Sequence, residues 1–280
     1  MKQQSRIFNI RKNVIKKQPL PNNKRFIPLD IYQTLHDKNN IPPSVSEGIS
    51  KIIKKPPTFT HHLYDAKEQH LMGNIFTQIY EQRIWGDNNN KNYSGSSGPG
   101  SSLKFTKNTY VPFLKNFIIN NNINSIIDLG CGDFISGPLI YDDLNNITYY
   151  GYDAYEKIII HNKETHLLPK YNFTTLDFYS KKEEIIRGDL CILKDVIMHW
   201  SLEGINTFLD YLVENNLFKY ILICNCCSQT HDNPDIVTGS WRPLSCDFYP
   251  LKKYNAVKIY NFESNVPKEV SVIINTSMLK

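Results

Sequence analysis

The sequence predicts an α/β chain: a doubly wound, mostly parallel seven-stranded sheet with an antiparallel strand pair at its C-terminal end. Three observations carry this. Five short apolar runs recur between residues 125 and 224, with helical stretches between most of them. Acidic residues and glycines stand where the first three runs end. The last two runs, 256–263 and 269–276, have no helix between them. Continuous apolar strands separated by helices imply a parallel sheet covered on both faces. Two late strands joined without a helix imply an antiparallel pair closing one edge.

Length and composition set the frame. The chain has 280 residues, 41% of them hydrophobic, enough for one substantial domain with its own core. The net charge of +5 is mild but unevenly spread. Lys2, Arg6, Arg11, Lys12, Lys16, Lys17, Lys24 and Arg25 all precede the first acid, Asp30. Such a basic block can contact nucleic-acid phosphates, but charge blocks with scattered prolines are more often solvated and mobile. Residues 1–64 are therefore read as a basic, proline-containing and partly disordered arm, and 65–280 as the folded domain. No apolar leader follows Met1 and no run approaches the roughly 20 residues of a membrane span. With six cysteines kept as free thiols, a cytoplasmic setting is expected.

The elements follow in order. Within the arm, short helices are expected near 31–35 and 45–53. A helix over 65–84 places Leu71, Ile75, Ile79 and Tyr80 at helical spacing and forms a cap before the sheet. Residues 86–102, rich in Gly, Asn and Ser, read as a loop. A helix over 106–120 follows, with Tyr110, Phe113, Leu114 and Phe117 on one face. Strands are expected at 125–128, 148–153, 171–177, 189–194 and 219–224, with helices at 134–144, 155–165 and 202–216.

In a doubly wound sheet, ligands sit at the carboxyl ends of the strands. The first strand runs into Asp128-Leu-Gly-Cys-Gly-Asp133. Gly130 and Gly132 let a turn pass close beneath a ligand, and Asp128 can accept from a cationic ammonium. Asp153 ends the second strand, where a carboxylate can take both hydroxyls of a ribose. Asp177 ends the third, where it can accept the exocyclic amine of adenine. The third glycine of a dinucleotide fingerprint is missing: Ile135 stands there. Asp133 would also oppose a pyrophosphate at the helix start.

This acid-x-Gly-x-Gly loop resembles the first motif of class I S-adenosylmethionine-dependent methyltransferases. The likeness extends further, to bacterial and giant-virus members in which a Trp-Gly…Ser-Gly-x-Gly-Ser…Thr segment precedes Asp-Leu-Gly-Cys-Gly-Asp-Phe. Here these are Trp85-Gly86, Ser94 to Ser101, Thr106 and Asp128 to Phe134. An Asp-x-x-x-His element is matched by Asp195 and His199, and a Trp-Arg-Pro element by Trp241-Arg242-Pro243. Lys194 stands where the family usually has Arg. The likeness covers about residues 75–260 and leaves the arm without a counterpart. It implies a Rossmann-like methyltransferase fold, S-adenosyl-L-methionine as cofactor, and a giant-virus type of source, with the host cytoplasm as the location. It also implies that Gly98, Gly100 and Ser101 bind the carboxylate of the cofactor's methionine end.

The acceptor chemistry is sought after the fourth strand. Asp195 and His199 stand at i, i+4, so on a helix they would share one face. His199 suits a general base for a hydroxyl, with Asp195 orienting it or the substrate. Trp241 can stack on a sugar, and Arg242 can hold an anionic or sugar acceptor. O-methylation of a sugar, glycan or other small hydroxylated molecule is thus expected. The alternatives are an RNA or protein methyltransferase docking through the arm, and an inert binding scaffold. No motif for methylating planar amino groups is present. Cys224, Cys226 and Cys227 lack a second ligand pair for zinc, so no metal is expected. His61, His62 and His70 read as surface residues.

Overall fold

The structure, a computed structural model, describes residues 72–279. The arm, its two expected helices and His61, His62 and His70 lie outside the described residues, as does the start of the 65–84 helix. The order is α1 (Met72–Glu81), α2 (Leu103–Thr106), α3 (Tyr110–Asn120), β1 (Ser125–Leu129), α4 (Gly137–Tyr141) and β2 (Thr148–Asp153). Then come α5 (Glu156–Thr165), β3 (Tyr171–Thr175), β4 (Gly188–Lys194), α6 (Leu202–Glu214), β5 (Phe218–Cys226), β6 (Val257–Glu263) and β7 (Pro267–Ile274).

The sheet runs β3-β2-β1-β4-β5-β7-β6. β1 to β5 pair in parallel, and β7 joins β5 and β6 antiparallel. The direction of winding reverses between β1 and β4, so their carboxyl ends form the crevice where ligands bind in such sheets. Alternation along each strand sends side chains to two cores. Ile127, Leu129, Leu193 and Ile223 pack with α6 through Ile205 and Phe208. Ile126, Leu190, Ile192 and Leu222 pack with α3 through Tyr110, Leu114 and Phe117.

Three expected helices are corrected. The 106–120 helix is two, because the chain breaks at 107–109 and Thr109 leaves helical geometry (φ −128°, ψ −83°). The 134–144 helix shrinks to α4: Phe134 is left-handed (φ 52°) and Pro138 sets the first turn. Residues 195–199 are no α-helix. Asp195 is left-handed (φ 57°), and only the 3-10 turn Ile197–His199 follows. β3 ends at Thr175, leaving Asp177 beyond the strand.

The helix ends are chemically specified. Ser201 caps α6, its Oγ accepting from Gly204 N at 3.1 Å. α3 and α6 close through left-handed Asn122 and Asn216, each with φ 52°. Ile123 N then donates to Ile118 O at 3.1 Å, and Leu217 N to Leu212 O at 3.3 Å. These six-to-one bonds satisfy carbonyls that a helix end leaves open.

Candidate active site

A cavity opens at the carboxyl ends of β1, β2 and β4, with α1 and the Ser-Gly loop along its side. Its floor is the turn after β1. Gly130 N and Cys131 N both donate to Tyr152 O, at 2.8 and 3.0 Å, which ties the turn to β2. Gly130 and Gly132 have φ of 87° and 53°. A Cβ on Gly130 would lie 2.6 Å from Val196 Cγ2, and one on Gly132 would lie 2.5 Å from Ser97 Oγ. Both conformation and space therefore demand glycine.

Two carboxyls flank this floor. Asp153 Oδ2 accepts from Gly132 N at 3.1 Å and Oδ1 from Tyr155 N at 3.0 Å. Burial nevertheless pushes Asp153 up to about 6. Asp128 Oδ2 accepts from Tyr149 OH at 2.8 Å, and burial again raises the carboxyl to about 6. Asp133 is also raised by burial and also lines the cavity.

Asp177 lines the cavity and performs a second task. It accepts from Gly73 N at 2.8 Å, fixing the start of α1, and from Ser180 N and Oγ at 3.2 and 2.9 Å. A Cβ on Gly73 would come 2.9 Å from Asp177 Oδ2, so glycine permits that approach. Nearby, Trp200 Nε1 is buried without a hydrogen-bond partner among the described residues, and Trp200 lines the cavity.

The Ser-Gly loop contributes Ser97 and Ser101 to the lining. Ser97 Oγ contacts Tyr80 OH at 3.1 Å and accepts from Asp133 N at 3.1 Å. Gly98 shapes the loop (φ 81°) but donates its N–H to Ser96 Oγ at 3.3 Å. Neither Gly98 nor Gly100 lines the cavity, so of the three expected carboxylate binders only Ser101 reaches it.

Lys194 and Asp195 lie at the end of β4. Asp195 Oδ2 accepts from Lys194 Nζ at 2.7 Å, and Oδ1 accepts from Lys268 Nζ. Burial pushes the Asp195 carboxyl up, but the two ammoniums outweigh it and hold the carboxyl below the usual carboxylate range. His199 is buried, its ring 4.7 Å from that of Trp85. Its Nδ1 lies 2.8 Å from Ser240 O, and a carbonyl can only accept, so Nδ1 carries the proton. Burial lowers the imidazole, partly offset by that hydrogen bond. The expected shared helix face of Asp195 and His199 is absent, because the chain must turn sharply after β4.

Arg242 does not reach the cavity. It is buried, with Nη2 donating to Trp200 O at 2.7 Å and Nη1 to Asp235 Oδ1 at 3.2 Å. Its place is that of an anchor for the segment after β5. Trp241 is 50% exposed and also stands outside the lining. Among the described residues, no three His, Cys, Asp or Glu side chains gather as metal ligands. Sequence reasoning missed Tyr80, Ser97, Tyr110, Trp200 and Lys268. Tyr80 and Tyr110 carried a core signal only, and Lys268 lies 73 residues from the Asp195 that it pairs.

No protein-family model matches this sequence, and no curated protein does. Solved structures do. The N-methyltransferase NodS from Bradyrhizobium japonicum WM9, in complex with S-adenosyl-L-homocysteine, aligns with a TM-score of 0.52 at 9% identity. The alignment covers 71% of this chain and 98% of NodS. Magnesium protoporphyrin IX methyltransferase (ChlM) from Synechocystis PCC 6803, with bound S-adenosylmethionine, gives 0.48 at 14% identity, over 76% of this chain and 99% of that one. The methyltransferase domain of bacterial CtHen1 gives 0.46 at 13% identity, over 60% and 97%. At such identities the NodS likeness is one of fold. Strand order, the antiparallel C-terminal pair and this likeness together identify the Rossmann-like methyltransferase fold.

Proposed function

We propose that the chain is an S-adenosylmethionine-dependent methyltransferase acting on the hydroxyl of a sugar, glycan or other small hydroxylated molecule. The observation that carries the cofactor is the cavity floor. Gly130 and Gly132 leave room that any Cβ would fill, and beside it stand Asp128 and Asp153, both raised by burial even though Lys194 acts on Asp128. A ligand that brings an ammonium to one and a pair of hydroxyl donors to the other favours the charged form of both raised carboxyls. Asp153 would take the ribose hydroxyls and Asp128 the ammonium. A carboxylate has about four acceptor sites. Asp177, which already accepts from Gly73 N and Ser180, would also take the adenine amine. Bound there, S-adenosylmethionine supplies a methyl group on a cationic sulfur.

The chain's own work is to align the acceptor and take its proton. His199, outside the lining but packed beside Trp85, which lines it, is the candidate for the second task. The Ser240 carbonyl fixes the proton on Nδ1, which leaves Nε2 as the basic nitrogen, and burial keeps the ring neutral at physiological pH. Asp195, held ionised by two lysines, is too weak a base to compete and serves to orient. Trp241, half exposed, remains available to stack on a sugar face.

The test is calorimetric titration of the full chain with S-adenosylhomocysteine. Micromolar binding, about −8 kcal/mol, weakened tenfold or more in Asp153→Ala, is expected. A folded protein that binds no cofactor would make it an inert scaffold.

A further inference from the structure

On α5 a buried asparagine stands where the helical spacing calls for an apolar residue. The inward face of α5 is Ile158, Ile159 and Asn162, all fully buried. Asn162 Nδ2 donates to Gly132 O at 2.8 Å. Its Oδ1 has no hydrogen-bond partner among the described residues. Burying an amide with half its capacity unmet is costly, and an apolar side chain would avoid that cost. A residue that breaks the local pattern in this way is expected where function requires it.

What Asn162 holds is the peptide between Gly132 and Asp133. The carbonyl end of that peptide accepts from Asn162, and its N–H end, on Asp133, donates to Ser97 Oγ at 3.1 Å. Ser97 Oγ in turn contacts Tyr80 OH at 3.1 Å. One chain of hydrogen bonds thus runs from α5 through the glycine turn to the Ser-Gly loop and α1. The peptide before it is fixed separately, because Gly132 N donates to Asp153 Oδ2. Asp153 Oδ1 accepts from Tyr155 N, at the N-terminal edge of the same α5. Glycine has no Cβ to resist rotation of its backbone, so the turn needs such ties to keep one shape. A floor already ordered spares a ligand the cost of ordering it.

We propose that Asn162 is a positioning residue that pre-orders the Gly132–Asp133 peptide, and through it the cavity floor and Ser97, for the cofactor, an inference that rests on the methyl-transfer reading of the cavity. Asn162 stands outside the lining, so it acts through Gly132. Gly132, Asp133, Ser97 and Tyr80 all line the cavity. The rest of the inward face of α5 packs the core, and Asn162 alone on that face serves the turn.

The experiment is calorimetry of the full chain with S-adenosylhomocysteine, on wild type, Asn162→Leu, Ser97→Ala and the double variant. Thermal melts of the ligand-free proteins run alongside. Leucine matches Ile158 and Ile159 and removes the unpartnered amide oxygen, so Asn162→Leu should melt close to wild type. Its affinity should nevertheless fall about tenfold. A lower melting temperature with unchanged affinity would make Asn162 a purely structural residue and overturn the proposal. Because Asn162 and Ser97 hold one peptide, the double variant should lose less affinity than the product of the two single losses. Losses that multiply would overturn the coupling. Hydrogen exchange reads the peptide itself: in Asn162→Leu the Asp133 amide should lose protection while Ile126 and Leu190, in β1 and β4, keep theirs. Unchanged protection at Asp133 would overturn the hold on the turn. Where Asn162→Leu does not fold, Asn162→Ala carries the affinity and exchange readings. If wild type binds no S-adenosylhomocysteine, the methyl-transfer reading fails and exchange at Asp133 alone decides for or against Asn162. If wild type and Asn162→Leu bind alike, only the positioning role fails.

Discussion

At Asp128 and Asp153 burial competes with hydrogen bonding, and burial prevails: both carboxyls rise to about 6. An unfolded chain returns them to about 3.9. Between those values the native state holds more protons, so its stability falls as pH rises through the window. The ligand-free protein should therefore melt higher at pH 5 than at pH 7, with each group accounting for about 1–1.5 kcal/mol over that interval. Affinity for the cationic cofactor should move oppositely, weakening as pH falls below about 6. Thermal melts and calorimetry across pH 4.5–7.5 check both signs. At His199 the prediction is kinetic. His199→Gln should lower turnover 10²–10⁴-fold and abolish the acidic limb of the pH–rate profile, while S-adenosylhomocysteine affinity stays unchanged. Arg242 and Trp241 separate a structural from an exposed neighbour. Arg242→Ala orphans the Trp200 carbonyl and should cost about 2–3 kcal/mol in chemical denaturation, whereas Trp241→Ala should cost under ~0.5 kcal/mol.

Helix ends show how an asparagine-rich composition serves the elements. At Asn122 and Asn216 the side chain tolerates the left-handed conformation that glycine usually supplies. Asn122→Gly should be neutral or slightly stabilising. Asn122→Val should cost about 1–2 kcal/mol, because a β-branched residue resists positive φ; denaturant midpoints decide. Asn216 is a poorer test, since its Oδ1 also accepts from Asn275 Nδ2 at 2.7 Å. The strand pattern was legible throughout: 148–153 matches β2, and the other strands shift by one or two residues at their ends. The misread elements lie where a backbone conformation, at Thr109, Phe134 and Asp195, interrupts a helical apolar spacing.

Across the whole molecule the cavity ties together distant segments. α1 rests on Asp177, 104 residues away, and Lys268 reaches Asp195 across 73. Ligand binding to such a site reports on global stability. Cofactor at 100 times its dissociation constant should add about 2.7 kcal/mol, or roughly 5–10 °C in Tm for a domain of this size. A melting series in S-adenosylhomocysteine measures it. No helix among the described residues is long and apolar enough to cross a membrane.

The sequence by itself determined the sheet, its mostly parallel sense and the antiparallel pair, because apolar runs and their spacing dictate strands and crossovers locally. It also marked Asp128, Gly130, Gly132 and Asp153, since a strand followed by a glycine turn puts those residues at the strand's carboxyl end. Only the tertiary structure decided which polar groups are paired. Arg242 turned out to be an anchor, Asp177 to hold α1, and Tyr110 to carry a hydroxyl without a partner among the described residues. Lys268 became the second cation on Asp195. Pairing of buried charges depends on contacts between residues far apart in the chain, and no local periodicity encodes them.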